Sequence, residues 1–177
     1  MKEQKEISNN PIKSNPSSNY FETIIIGGGQ TGLAVGHALA KNGHSFIILD
    51  SNSRIGDAWR NRWDSLKLFT PAYMDGLPGM PFPGRQHSLI SKDEMADYLE
   101  LYAKQLKLPV LTGHKVDRLY KQGNNFIVSA GDRVFESKNV VVAMSNFQDP
   151  RIPEFAKEIN PSIVQLHSND YRNPSQL

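Results

Sequence analysis

Three glycines with a fixed spacing, placed after a short apolar run, constrain the fold of this chain more than any other feature. Gly27, Gly29 and Gly32 form the pattern G-x-G-x-x-G between a predicted buried strand (residues 21–26) and a predicted helix (residues 31–42). The first glycine permits a tight turn, the second lets a pyrophosphate approach the backbone, and the third allows close helix–strand packing. Because free N–H groups at a helix N-terminus attract phosphate, the motif predicts a phosphate-binding turn.

A second apolar run, residues 44–50, completes a predicted βαβ unit and ends in Asp50. Asp50 follows Gly27 by 23 residues, close to the spacing at which an acidic residue binds ribose hydroxyls. Gly43 lies where a left-handed residue commonly ends a helix. A strand before the glycines, a helix after them and an acid at the end of the unit predict a dinucleotide site rather than a glycine-rich turn alone.

Residues 51–90 have no sustained helical or alternating pattern and are rich in proline and glycine. Long irregular stretches in compact domains are usually functional or disordered, and Trp59 and Trp63 make this one too apolar for disorder. We expect an ordered covering loop with one helical turn, and expect Trp63 to pack on one face of that turn.

Regular patterns return at Ser91, which forms a capping-box pattern with Glu94 at the start of a helical apolar repeat. Residues 110–120 predict a strand or a strand pair, and a tight hairpin is predicted around residues 131–132. Residues 139–144 (NVVVAM) predict a fully buried strand, and residues 145–177 are rich in loops.

The residues leave two dinucleotides open. An NAD domain would continue as alternating strands and helices. The irregular covering loop and the short β-meander instead favour FAD, because its flavin and ribityl chain require cover beyond the first βαβ unit.

Composition excludes several other classes of function. The 177 residues are 38% hydrophobic and 21% charged, and the net charge of +2 argues against a nucleic-acid or membrane surface. Cysteine is absent, which excludes thiolate catalysis, and no metal-ligand spacing is present. No run approaches the roughly 18 apolar residues of a membrane span. We expect residues 1–19 to be a disordered tail and the protein to be cytoplasmic.

The chain resembles the FAD-binding N-terminal part of class B flavin monooxygenases, the superfamily of flavin-containing and Baeyer–Villiger monooxygenases. This resemblance implies a Rossmann-like α/β domain, with a parallel sheet, helices and a small β-meander, from a flavoprotein with two dinucleotide-binding domains. It rests on IIIGGGQTGLAVGHAL, ILDSNSRIGDAWRNRWDSLKLFTP, GLPGMPFPG, SKDEMADYLELYA, NVVVAM, PRIPEF and QLHSNDYRNPSQL, which cover nearly everything after the N-terminal tail.

The resemblance also implies a set of FAD-binding positions. Asp50 is expected to bind the adenosine ribose, and Val116 to contact adenine through its backbone. Ser145 stands where the family usually has glycine, and no residue is assigned a catalytic role. The implied cofactor-binding residues are Gly27, Gly29, Gln30, Thr31, Gly32, Asp50, Ser51, Gly56, Trp59, Val116, Ala143 and Met144.

In the family, a second G-x-G-x-x-G that binds NADPH follows the HSxxYRxP segment, and this sequence contains no second pattern of that kind. We therefore expect residues 20–177 to be the N-terminal part of an FAD-binding domain, with residues 146–177 as a linker toward an NAD(P)H-binding domain. The implied function is the FAD-binding portion of an NAD(P)H-dependent flavin monooxygenase acting on a small organic substrate. Three alternatives stay open: a non-catalytic nucleotide-binding module, one half of a flavoprotein completed by another chain or a second copy, and an oxidoreductase with a partner-supplied or diffusible reductant.

Overall fold

The structure, a computed structural model, describes residues 19–177, so all of the tail predicted over residues 1–19 except Asn19 lies outside the described residues. Within that range the chain forms an α/β fold with three α-helices and eight strands. The helices are α1 (Gln30–Lys41), α2 (Asp57–Arg60) and α3 (Lys92–Gln105). The strands are β1 (Tyr20–Ile26), β2 (Phe46–Leu49), β3 (Lys67–Pro71), β4 (Leu89–Ser91), β5 (Val110–Leu111), β6 (Arg118–Gln122), β7 (Asn125–Ala130) and β8 (Arg133–Val142).

Six of the strands form one sheet in the order β5-β2-β1-β8-β7-β6. Strand β1 lies at the centre and pairs in parallel with both β2 and β8. Helix α1 connects β1 to β2, as the sequence predicts, and Gly43 has a positive φ of 71° just beyond its end. The predicted βαβ unit is therefore confirmed, with its helix starting one residue earlier.

The central sheet separates two apolar layers, because successive side chains of β1 point to opposite faces. Ile25 packs with Leu33 of α1 and with Met95 of α3 on one face. Ile24 packs with Val128 and Phe135 of the meander on the other face. All six side chains are at most 1% exposed, so β7 and β8 of the meander and helix α3 all belong to the folded core.

The prediction of a fully buried strand over residues 139–144 is wrong in two respects. It is the second half of β8, which continues without a break from the hairpin that the sequence predicts around residues 131–132. Val142 is also 61% exposed. The pairing with β7 ends at Ser137, so within residues 19–177 the end of β8 has a neighbouring strand on the β1 side only.

The covering loop is ordered and contains the expected helical turn, α2. The antiparallel ribbon formed by β3 and β4 was not predicted from the sequence, because both strands are short and irregularly paired. Trp63 lies beyond the end of α2, so the prediction that it packs on that helical turn is wrong, although it packs against the core as Trp59 does.

Helix α3 begins with the predicted capping box. The Ser91 backbone N–H donates to the Glu94 carboxylate at 2.7 Å, and the Glu94 backbone N–H donates to Ser91 Oγ at 3.2 Å. The Ser91 hydroxyl also donates to the Glu94 carboxylate, at 2.8 Å, and the two hydrogen bonds that the carboxylate accepts, from Ser91 N and from Ser91 Oγ, lower the pKa of Glu94. The helix ends at Gln105, earlier than the proline at 109 requires, and Lys107 adopts a positive φ of 50° just beyond it.

Candidate functional site

The backbone packs very closely where β1 meets α1. Gly27 has a φ of +107°, and a Cβ there would lie 2.6 Å from the carbonyl oxygen of Ala143. A Cβ on Gly32 would lie 1.9 Å from the Gly27 carbonyl oxygen. Both glycines are therefore required by the fold itself, whatever the site binds.

Gly29, the middle glycine of the motif, has open space beside it. A Cβ built there would meet nothing within 4 Å. Gly29 is the N-cap of α1, and neither a side-chain cap nor an acidic side chain occupies the first turn. The first N–H groups of α1 are thus available to an anion, which is the arrangement that phosphate groups prefer.

Asp50 lies at the end of β2, beside the glycine turn, and is only 7% exposed. One carboxylate oxygen accepts a hydrogen bond from Gly28 N at 2.5 Å. The other accepts from Asn52, through its backbone N at 2.8 Å and its Nδ2 at 2.9 Å. Asp50 therefore fixes the turn as well as offering its remaining lone pairs to a ligand.

Two adjoining cavities open at this end of the sheet, with volumes of about 580 Å³ and about 690 Å³. Every predicted cofactor-binding residue except Gly32 lines at least one of them. The first contains Gly27, Gly29, Asp50, Ser51, Val116, Ala143 and Met144, and the second contains Gly29, Gln30, Thr31, Asp50, Gly56, Trp59 and Ala143. The structure thus brings the predicted residues together in one cleft, while Gly32 packs behind it.

Other residues of the cleft were not predicted. They come from the covering loop, from the residue before Val116 and from the segment assigned to a linker (residues 146–177). That last segment follows no periodic pattern, so the sequence offered no signal for its position. The unpredicted residues include Asn52, Asn61, Arg62, Trp63, Lys115, Phe147, Gln148, Asn169 and Arg172.

Arg62 is the cation that both cavities share. Its Nε donates to the Ala58 carbonyl at 3.2 Å, and its guanidinium carbon lies 6.0 Å from the centre of the Phe147 ring. The side chain therefore reaches across the cleft from the covering loop toward the C-terminal segment. It supplies positive charge to a cleft in which the acidic group at the turn, Asp50, is already hydrogen-bonded by the protein.

An ionic network attaches α2 to α3 and so positions the covering loop. Arg60 donates to Asp97 at 2.8 Å and to Glu100 at 3.1 Å, and Arg54 donates to Glu100 at 2.6 Å. The hydrogen bond from Arg54 lowers the pKa of Glu100. Beside this network, Gly56 has a φ of +90°, and a Cβ there would lie 2.5 Å from the Ala96 carbonyl oxygen.

Two tyrosines of α3 attach the next part of the covering loop. Tyr98 Oη accepts from Leu77 N and donates to the Met80 carbonyl, both at 2.6 Å. Tyr102 Oη donates to the Pro78 carbonyl at 2.7 Å. Burial raises the pKa of Tyr98, and raises that of Tyr102 to about 12.

Over residues 19–177, no group of three or more histidine, aspartate or glutamate side chains is arranged to bind a metal ion. The helices of the same range include none with the length and apolar character of a membrane span.

The family of the chain follows from its sequence as well as from this fold. The family model described as pyridine nucleotide-disulphide oxidoreductase matches residues 24–176. The chain belongs to this family, and its fold is the Rossmann-like α/β fold of flavoproteins with two dinucleotide-binding domains.

The chain is also similar to individual proteins. The chain is 43% identical to an "Uncharacterized oxidoreductase CzcO-like" of Geobacillus kaustophilus, over 88% of this chain and 45% of the relative. It is 28% identical to the indole-3-pyruvate monooxygenase YUCCA1 of rice, over 87% of this chain and 39% of the relative. A solved flavin-containing monooxygenase from Stenotrophomonas maltophilia superposes with a TM-score of 0.82 at 34% identity, covering 88% of this chain and 48% of that one. The chain spans less than half the length of each of these three proteins.

Proposed function

We propose that the chain forms the FAD-binding portion of an NAD(P)H-dependent flavin monooxygenase or related oxidoreductase that acts on a small organic substrate. The observation that carries this proposal is the open backbone at Gly29, at the N-terminus of α1 and at the junction of the two cavities. The named relatives are monooxygenases and oxidoreductases, which disfavours a non-catalytic nucleotide-binding module.

The chemistry of the cleft residues fits an adenine dinucleotide. The α1 N-terminus and Arg62 offer N–H groups and positive charge to a pyrophosphate. Asp50 and Asn52 offer acceptors and donors to a ribose, and Val116 lines the same cavity. The second cavity, lined by Trp59 and other apolar side chains, is suited to the ribityl and flavin half.

Each of these groups has a positioning role. A bound flavin would supply the redox chemistry of a monooxygenase. The protein residues described here bind and orient its adenosine and pyrophosphate parts, and Trp59 covers one wall of the cleft against water. A hydride donor and an organic substrate would require further groups, from a longer chain, a completing chain or a second copy.

The test is a titration of the purified chain with FAD, followed by quenching of flavin fluorescence. We expect the wild type to bind FAD and to bind FMN far more weakly, because FMN lacks the pyrophosphate-linked adenosine. Gly29→Val should abolish FAD binding by filling the space where the pyrophosphate approaches. Its thermal unfolding without ligand should stay near that of the wild type, because the new side chain meets no protein atom within 4 Å of its Cβ.

A matched variant separates a blocked site from a disturbed turn. Gly29→Ala adds one methyl group at the same position and should weaken FAD binding less than valine does. Equal FAD affinity for the wild type and Gly29→Val would refute the assigned site. If the wild type binds FMN as tightly as FAD, the proposal that the glycine turn binds the pyrophosphate is wrong.

A further inference from the structure

The turn that follows β8 contains a serine in a backbone conformation that serine rarely adopts. Ser145 has a φ of +66°. Among the described residues, only Ser145 and Lys107 have a positive φ without being glycine, and Lys107 ends a helix, where a left-handed residue is common. A left-handed conformation at a non-glycine residue is strained, and such strain is found most often at functional sites.

The surrounding backbone fixes this conformation. Ala143 N donates to the Ile26 carbonyl at 2.8 Å, and the Met144 carbonyl accepts from Gln148 Nε2 at 2.6 Å. Ala143 and Met144 also pack against Gly27, where even a Cβ would come within 2.9 Å of Met144 Cα. The chain therefore has to turn at Ser145, and glycine would make the same turn without strain.

The position of Ser145 in the cleft supplies a reason for the serine. It lines both cavities and, together with Gly29 and Arg62, belongs to the wall that they share. No hydrogen bond within the described part of the chain involves its hydroxyl, and the residue is exposed. Lys107, the other strained residue, lines neither cavity.

We propose that Ser145 is a cofactor-positioning residue whose hydroxyl donates a hydrogen bond to a pyrophosphate oxygen at the junction of the two cavities. The inference rests on the proposed function, because it takes a dinucleotide to be the ligand. Ser145 lines the junction from the turn after β8, while the α1 N-terminus lines it from Gly29. A phosphate at the junction receives hydrogen bonds from two directions. This additional donor accounts for a serine at a turn that glycine would make without strain.

Two variants separate the strain from the hydrogen bond. Ser145→Gly removes both, and Ser145→Ala removes only the hydrogen bond. Without ligand, Ser145→Gly should melt roughly 2–4 °C above the wild type, while Ser145→Ala should melt near it. Both variants should bind FAD about tenfold more weakly than the wild type, since the lost bond is to a charged group. Higher stability with weaker binding in one variant is a combination that a merely structural residue would not produce.

Two further ligands locate the contact. ADP contains a pyrophosphate and adenosine does not, so both variants should weaken ADP binding by the same factor as FAD binding and leave adenosine binding unchanged. If Ser145→Gly binds FAD and ADP as tightly as the wild type does, the serine has no ligand role and the inference is overturned. Equal weakening of adenosine binding would overturn it too, because the turn as a whole would then be affected.

The same titrations distinguish this inference from the proposed function. A wild type that binds ADP but not FAD, with both variants weakened for ADP, overturns the flavin assignment and supports the role of Ser145. A wild type that binds neither ligand overturns both.

Discussion

The two sides of the cleft are built in different ways. On the βαβ side, the backbone of Gly27 touches that of Ala143, and Gly32 touches Gly27, at distances that leave no room for a Cβ. On the side of the covering loop, residues 51–90 are attached to α3 through side-chain hydrogen bonds and ion pairs. The first side is set by contacts that one added methyl group destroys. The second depends on side-chain bonds that can be removed one at a time.

The largest expected effect comes from a substitution that disrupts the close backbone packing on the βαβ side. Gly32→Ala places a methyl group against a backbone carbonyl that cannot move without displacing the turn, so the variant should lose about 3 kcal/mol or more of stability. For a domain of this size that loss corresponds to a fall in melting temperature of roughly 10 °C. Differential scanning calorimetry without ligand would measure it.

The matched control is Gly29→Ala, in the same motif and with the same added methyl group. Its Cβ meets nothing, so the melting temperature should change by less than about 2 °C. Equal losses for the two variants would contradict the distinction between a glycine required for packing and a glycine that leaves space for a ligand.

The next largest effect comes from removing the hydrogen bonds that attach the covering loop to α3. Tyr98→Phe removes both hydrogen bonds of the hydroxyl and leaves Leu77 N and the Met80 carbonyl unpaired, which should cost about 2 kcal/mol. Tyr102→Phe removes one bond, to Pro78, and should cost about half as much. Chemical denaturation of the two variants checks the ratio. A Tyr98→Phe variant as stable as the wild type would show that the loop is attached mainly by its apolar contacts.

The same difference decides what the sequence could predict. The glycine motif, the apolar runs of β1 and β2 and the capping box of α3 are local patterns whose spacing determines the structure, and the elements they predict were confirmed. The ribbon of β3 and β4 was missed because its short strands alternate weakly and depend on tertiary contacts with α3. The second half of β8 looked buried by composition, but burial depends on neighbours that no local pattern encodes.

The candidate site divides in the same way. Gly29 and Asp50 follow from the spacing of one motif, and Gly56 and Trp59 from resemblance. Arg62 lies in an irregular segment, and no spacing rule assigns such a residue to a cleft. The C-terminal residues of the cleft come from loops more than 90 residues away from the motif. Strand β8 and the contact between Arg172 and Asp64 of the covering loop bring them to the cleft.

A smaller effect depends on pH. Hydrogen bonds from Arg54 and Arg60 lower the pKa of Glu100 below its ordinary value of 4.5, so this carboxylate stabilises the folded state above about pH 4.5. That contribution is lost as the pH falls through the lower pKa of the folded state. Glu100→Gln should therefore reduce stability at pH 7 by no more than about 1 kcal/mol, because the pair is partly exposed.

Melting temperatures of the wild type and Glu100→Gln between pH 7 and pH 3 would measure this contribution. The difference should be constant down to about pH 5 and should then shrink. High salt should also reduce it at pH 7, because partly exposed ion pairs are screened. A difference that stays the same at pH 3 would mean that the amide costs stability through packing and not through charge.

The smallest effect concerns the contact between the covering loop and residues 172–173. Asp64 N donates to the Arg172 carbonyl at 2.8 Å, and Asn173 Nδ2 donates to the Asp64 carboxylate at 2.8 Å. Asn173→Ala should therefore change global stability by less than about 0.5 kcal/mol, since the bond is exposed. Hydrogen exchange at the Asp64 amide should nevertheless become faster, because local opening requires only that this docking contact separates. We expect the C-terminal segment (residues 146–177) to open independently of the covering loop. If Asn173→Ala instead lowered the melting temperature as far as Tyr98→Phe, the two segments would unfold together as one cooperative unit.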